Sequence, residues 1–257
     1  MREFDFFLPV PGGLKADYEE ISFDRLLDPA KVRAVDDREL RTALEEMPCC
    51  VTDAAGKAFG DPLNLVLIGE IEDLWAEFTR RGWDVTESIY AESIEKTVKS
   101  FLFGSRYRYS PVSPLYSFRR RQDFAMQKVR GTIDARNHLR LWLTPLRYEG
   151  KPVWVGQISR DVGVRFTTKT WNLTTHQIDA DLDEARDYLV QDLLVTNRIA
   201  KLGYLKGVGP ATSADNRTNL TGDGYFTDGL RAVMVLSSKP MPILEMMTFS
   251  WEWPPTK

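Results

Sequence analysis

Apolar residues recur in two periods along the chain, and the changes of period mark its elements. Residues 63–68 are a near-continuous apolar run closed by Gly69, the pattern of a strand buried on both faces. From Glu70 to Arg81 the spacing becomes helical: Ile71, Leu74, Trp75 and Phe78 form one stripe, and Gly82 follows as a left-handed cap. Residues 83–86 read as a short strand. Helical spacing returns over 89–103, with Ile94, Val98, Phe101 and Leu102 as the apolar set. It returns again over 181–202, where Leu182, Ala185, Leu189, Leu193 and Ile199 mark the buried side and Gly203 closes the helix. Asp28-Pro29 predicts a further helix to about Glu46, because aspartate caps and proline suits a first turn.

The other signals are of β type. Residues 136–161 hold two β-type runs around Glu149-Gly150, where glycine supplies the positive φ that a tight hairpin needs. Residues 115–118, 123–129, 162–170 and 231–236 read as further strands. The polar, glycine-rich stretch 207–228 is long for a connection, which points to a functional or mobile segment. Together these elements predict an α+β fold: a mixed or antiparallel sheet with the hairpin at its centre, flanked by three or four helices.

Charge and composition narrow the classes of function. A net charge of -3 gives no whole-chain field for nucleic acid, and no RNA-binding signature is present. Cys49 and Cys50 are adjacent, a spacing at which an unstrained disulfide is rare, so no disulfide framework is expected. The two cysteines and two histidines do not have the spacing of a structural zinc site. No apolar run approaches the roughly 18 residues that cross a bilayer, and the acidic start is unlike a signal peptide. The expectation is a soluble, cytoplasmic chain that can lie at a membrane surface. Gly69 stands alone and is followed by an acid, which argues against a phosphate-cradling loop and leaves the cofactor, if there is one, unspecified.

Several motifs carry a resemblance. Pro48-Cys49-Cys50-Val51-Thr52, Gly60-Asp61-Pro62-Leu63-Asn64-Leu65, Arg81-Gly82-Trp83, Ser113-Pro114-Leu115-Tyr116, Arg136-Asn137-His138-Leu139-Arg140 and His176-Gln177-Ile178-Asp179 resemble the LssY C-terminal-like domain family. The resemblance covers roughly residues 45 to 236, with an extension and helix before it (1–44) and a tail after it (237–257). In that family the domain often stands beside lipid-phosphatase-type or DedA-like membrane segments. The resemblance therefore implies a non-catalytic binding or accessory domain near a membrane, with anionic lipid or a membrane protein as partner. It brings no known catalytic residues.

Three constellations could carry chemistry. His138 and His176, with Asp179 and Asp181, have the ligand types for a divalent metal or for acid–base catalysis on a phosphate-containing or other anionic substrate. A separation of 38 residues is not diagnostic, and the acids equally suit the entry to a helix. Residues 96–130 carry nine basic residues against Asp123 alone, with Arg119, Arg120 and Arg121 in a row and tyrosines and phenylalanine between them. Such a band suits anionic headgroups, or it pairs with the acidic N-terminal region. Arg136, Arg140, Arg160 and Asp161 lie near the hairpin ends, and Arg136, His138 and Arg140 alternate, so one strand would put these last three on one face. That face is either an anion clamp or the wet side of a sheet. No Gly-x-Ser-x-Gly elbow is present and no base neighbours the cysteines, so covalent catalysis is not expected.

Overall fold

The computed structural model describes residues 27–86, 113–130, 136–166 and 174–255, the side chains of 164–166 and 174–176 excepted. In chain order its elements are β1 (Arg33–Val35), α1 (Asp37–Glu45), β2 (Cys50–Thr52), β3 (Phe59–Pro62), β4 (Leu65–Ile68), α2 (Ile71–Arg80) and β5 (Asp84–Val85). Then come β6 (Tyr116–Ser117), β7 (Arg120–Arg121), β8 (Phe124–Val129), β9 (Arg136–Tyr148), β10 (Lys151–Phe166), β11 (Thr174–Ile178) and α3 (Leu182–Leu194). The chain ends with β12 (Ile199–Lys206), β13 (Arg217–Thr218), β14 (Gly224–Tyr225), β15 (Leu230–Leu236) and β16 (Met247–Thr248).

The predicted hairpin is the middle of a ten-stranded mixed sheet ordered β16-β12-β15-β4-β10-β9-β8-β5, with β1 beside β9 and β11 beside β10. Its turn holds Glu149 at φ 50° and Gly150 at φ 78°, the two left-handed positions of a tight hairpin. Register runs Pro152↔Arg147 and then Trp154↔Leu143, so β9 spends more residues than β10 between these pairs. Pro145 lies in that excess, where its missing N–H removes a ladder bond and favours a bulge. The excess is an even number of residues, so both strands keep their inward and outward alternation.

Each face of this sheet has its own cover. Leu139, Leu141, Leu143, Trp154 and Ile158 meet Leu74 and Phe78 of α2 and Ala185, Leu189 and Leu193 of α3. On the opposite face Trp142, Leu146, Tyr148, Val153 and Val155 meet Leu40 and Leu44 of α1 and Val51 of β2. β2 belongs to a separate four-stranded sheet ordered β3-β2-β6-β7, and β13 and β14 form a third, two-stranded one.

The expected α+β fold, a sheet flanked by three or four helices, is therefore corrected. The molecule is predominantly β, with three sheets and three α-helices among the described residues. Two predicted helices give ground to strands. The helix expected from Asp28 is only a 3-10 turn over Pro29–Lys31; Arg33–Val35 pairs parallel with β9, and α1 starts at a capping box between Asp36 and Glu39. The helix expected over 181–202 stops at Leu194, and Ile199–Lys206 is a strand paired with β15. Gly203 caps nothing: a Cβ there would lie 2.7 Å from the Phe249 Cβ, so its smallness admits the packed tail. The helix expected over 89–103 lies outside the described residues.

Candidate functional site

Alternation along β9 puts Arg136, His138 and Arg140 on the face that Trp142 continues, as expected. That face looks inward, not to water: the three are 2%, 8% and 7% exposed. The polar half of the face is completed from neighbouring strands by Gln127, Gln157, Ser159 and Asp161, all buried. Cross-strand register supplies the pairs directly, since His138 lies opposite Ser159 and Gln127, and Arg140 opposite Gln157.

Hydrogen bonds join these groups into a network. Arg140 Nη1 donates to Gln157 Oε1 (2.9 Å) and Nη2 to the Ser113 carbonyl (3.1 Å). Gln157 Nε2 donates to Asp61 Oδ2 (3.2 Å), and Arg136 Nη1 donates to Gln127 Oε1 (3.2 Å). His138 Nε2 lies 2.6 Å from Asp161 Oδ2. Two buried atoms, Asp61 Oδ1 and Arg140 Nε, have no hydrogen-bond partner among the described residues.

Asp61 is the electrostatic centre of the network. Burial pushes its carboxyl up to about 6; Arg140 and Asn219 oppose that rise, and Asp161 and Asp223 add to it. Burial lowers the Arg140 pKa, against the pull of Asp61 and Asp161. Asn219 and Asp223 come from the polar stretch 207–228, whose loop is tied by Asn219 Oδ1 accepting from the N–H groups of Thr221 and Asp223. Arg186 of α3 anchors the end of the stretch through both carboxylate oxygens of Asp228 (2.7 and 3.0 Å). Thus a segment expected to be functional or mobile is laid against the buried network.

The other expected residues fall elsewhere. Asp179 pairs with Arg160, which also meets Glu184 of α3 at 2.7 Å. Arg160 alternates with Ser159 and Asp161, so Asp179 and His138 serve opposite faces of the sheet. Asp181 caps α3, accepting from the Asp183 N–H (3.1 Å). The His176 backbone pairs with Val164, five positions along β10 from the partner of His138, roughly 16 Å at ordinary strand rise. Among the described residues no group of three His, Cys, Asp or Glu side chains is placed to hold a metal.

The three consecutive arginines separate in space and role. Arg120 grips both oxygens of Asp123 (2.9 and 2.7 Å) and the Leu143 carbonyl (2.6 Å). Arg119 and Arg121 are exposed. Between β6 and β7 the turn is made by Phe118 and Arg119, at φ 51° and 61°. Glycine and asparagine favour these left-handed positions, and residues this large hold them at a cost. Phe118 is 38% exposed at the tip.

Asp61 and Gln157 are the central site residues among those that sequence reasoning missed. Asp61 sits in one of the motifs that carry the family resemblance, and Gln157 shares β10 alternation with Asp161, so both had a signal of location though none of chemistry. The cysteine expectation also changes, because Cys49 and Cys50 are bonded to each other.

The LssY C-terminus family matches residues 41–230, and the chain belongs to that family. No curated protein and no solved structure matches it. Among the described residues no helix is long and apolar enough to cross a membrane.

Proposed function

We propose that this member of the LssY C-terminus family is a non-catalytic binding or accessory domain that works beside a membrane, meeting anionic headgroups through the turn between β6 and β7. The observation that carries this reading is the turn itself. An exposed aromatic and an exposed arginine occupy two left-handed backbone positions, with Arg121 exposed beside them. A backbone outlier kept at an exposed basic tip is a cost that stability alone does not reward. A basic residue near an anionic bilayer contributes ~1 kcal/mol. Replacing Arg119 and Arg121 together by alanine is thus expected to weaken binding to phosphatidylglycerol vesicles by ~10-fold or more. Flotation of the whole chain reads this directly, with phosphatidylcholine vesicles as the neutral control. Failure to float with anionic vesicles, or equal flotation of the double variant, overturns the proposal.

A second reading is favoured by the contact between His138 and Asp161. A histidine oriented by a buried carboxylate, on a face shared with Arg136 and Arg140, suits a hydrolase for a phosphate-containing or other anionic substrate. It requires turnover of a generic phosphoester that His138→Ala abolishes while vesicle binding is kept. Turnover that is absent, or that survives His138→Ala, removes this reading.

A further inference from the structure

The junction between α1 and β2 holds the bonded pair Cys49–Cys50, and its surroundings hold the pair in place. On one side the Pro48 carbonyl accepts from Arg231 Nη2 (2.5 Å). On the other the Leu63 N–H donates to the Cys49 carbonyl (2.8 Å), and Cys50 is paired with Pro62 as the first residue of β2. Backbone anchors on both sides keep two adjacent thiols together, which raises their effective concentration for one another. Cys50 is 3% exposed and Cys49 is half-buried, so Cys49 is the more accessible residue of the pair.

What the pair is attached to gives it a consequence. β2 is the inner strand of the four-stranded sheet. Three residues past Cys49, Thr52 pairs with Tyr116, and its hydroxyl lies 3.4 Å from the Tyr116 carbonyl. Tyr116 begins the hairpin that carries Phe118 and Arg119. In β3, the neighbour of β2 on its other side, Asp61 adjoins Pro62, the partner of Cys50. A change at Cys49–Cys50 therefore has a short backbone path to the exposed turn and to the buried network.

We propose that Cys49 and Cys50 are a redox site, at which exchange with a dithiol reductant opens the bond and loosens β2 together with the β6–β7 hairpin. A thiolate of the reductant attacks Cys49 Sγ; the bond between the cysteines breaks, a mixed disulfide forms on Cys49, and Cys50 leaves as a thiolate that takes up a proton. The second thiol of the reductant then displaces Cys49. The reductant ends as a disulfide, and the pair has gained two electrons and two protons. This inference does not depend on what the turn binds.

The test uses the full chain purified without reductant, alkylated with iodoacetamide before and after dithiothreitol, and followed by hydrogen exchange. Before reduction the intact mass is expected to be lighter by two hydrogens, with no alkylation of either cysteine. After reduction both are expected to alkylate, and amide exchange over 49–52 and 115–121 to rise severalfold while the β9–β10 hairpin stays protected. The Cys49→Ser/Cys50→Ser double variant should exchange like the reduced protein and ignore dithiothreitol. Alkylation of both thiols before reduction eliminates the bond. A bond whose reduction leaves exchange over 115–121 unchanged eliminates the switch, and neither result requires a variant to fold.

Discussion

Arg231 and Arg140 are both buried on one face of the sheet, the face opposite α2 and α3, and they are held in contrasting ways. Arg231, 0% exposed, takes backbone carbonyls for all its nitrogens: Leu63 from Nε, Leu44 from Nη1, and Met47, Pro48 and Gly207 from Nη2. Burial alone lowers its pKa, to about 10. Its donors join the end of α1, the approach to β4 and the start of the polar stretch, so the charge satisfies carbonyls at the ends of these elements that would otherwise lack donors. Arg140 lies among Asp61, Asp161 and Gln157, and its Nε has no partner among the described residues. One guanidinium is used up in holding the fold. The other stands in an incomplete network in which burial holds the Asp61 carboxyl up to about 6, an arrangement more typical of functional sites than of scaffolding.

The largest expected effect tests the first half of that contrast. Arg231→Met keeps the bulk and leaves five carbonyls without their donor. Each unsatisfied buried group costs ~1–3 kcal/mol, and relaxation or water recovers part, so a loss of about 3–5 kcal/mol is expected. Urea denaturation should show a lower midpoint with an unchanged slope. A loss below ~1 kcal/mol would mean that water serves those carbonyls equally well and that Arg231 is not a structural clamp.

Next in size is the pH response of Asp61. Its carboxyl binds a proton more tightly in the fold, at about 6, than at its ordinary 3.8. Its contribution to stability is therefore complete below 3.8 and is lost as pH rises through 6. Between pH 4 and pH 8 the protein should lose about 2 kcal/mol through this group, at 1.36 kcal/mol per tenfold change in proton affinity. Asp61→Asn should flatten that stretch of the stability profile and be the more stable protein at pH 8. A wild-type profile that rises toward pH 8 would place Asp61 in a satisfied ion pair, as finished as Arg231.

The hairpin was legible because two local signals agree there: two β-type runs and, between them, a glycine at one of the two left-handed turn positions. Alternation also put Arg136, His138 and Arg140 on one face, and Pro145 does not disturb this because its bulge lies beyond all three. Pairing partners distant in sequence leave no local signal. Residues 199–202 read as the end of a helix because Ile199, Leu202 and Gly203 suit helical spacing and a cap; pairing with β15 and the approach of Phe249 decide otherwise. Asp61, between Gly60 and Pro62, has the local look of a turn, and only the return of β9, β10 and residues 219–223 makes it a buried carboxylate. Arg231 looked like any charge at a strand start, since nothing near it in sequence announces five carbonyls.

The smallest effect sharpens the comparison most, because it asks whether Arg140 acts through Asp61. Arg140→Met removes a cation that favours the ionised form of Asp61, and at pH 8 it should cost about 2 kcal/mol. In the Asp61→Asn background the same change should cost less than ~1 kcal/mol, the remainder reflecting Asp161, Gln157 and the Ser113 carbonyl. The difference is the coupling energy of the pair, and contacting residues in one network commonly show ~0.5–3 kcal/mol. It should shrink at pH 5, where Asp61 is mostly protonated and offers Arg140 no charge. Equal costs in both backgrounds, at both pH values, would make Arg140 a scaffold residue of the same kind as Arg231. A coupling that appears only when Asp61 is ionised instead means that the buried face keeps a charge balance which one proton can change.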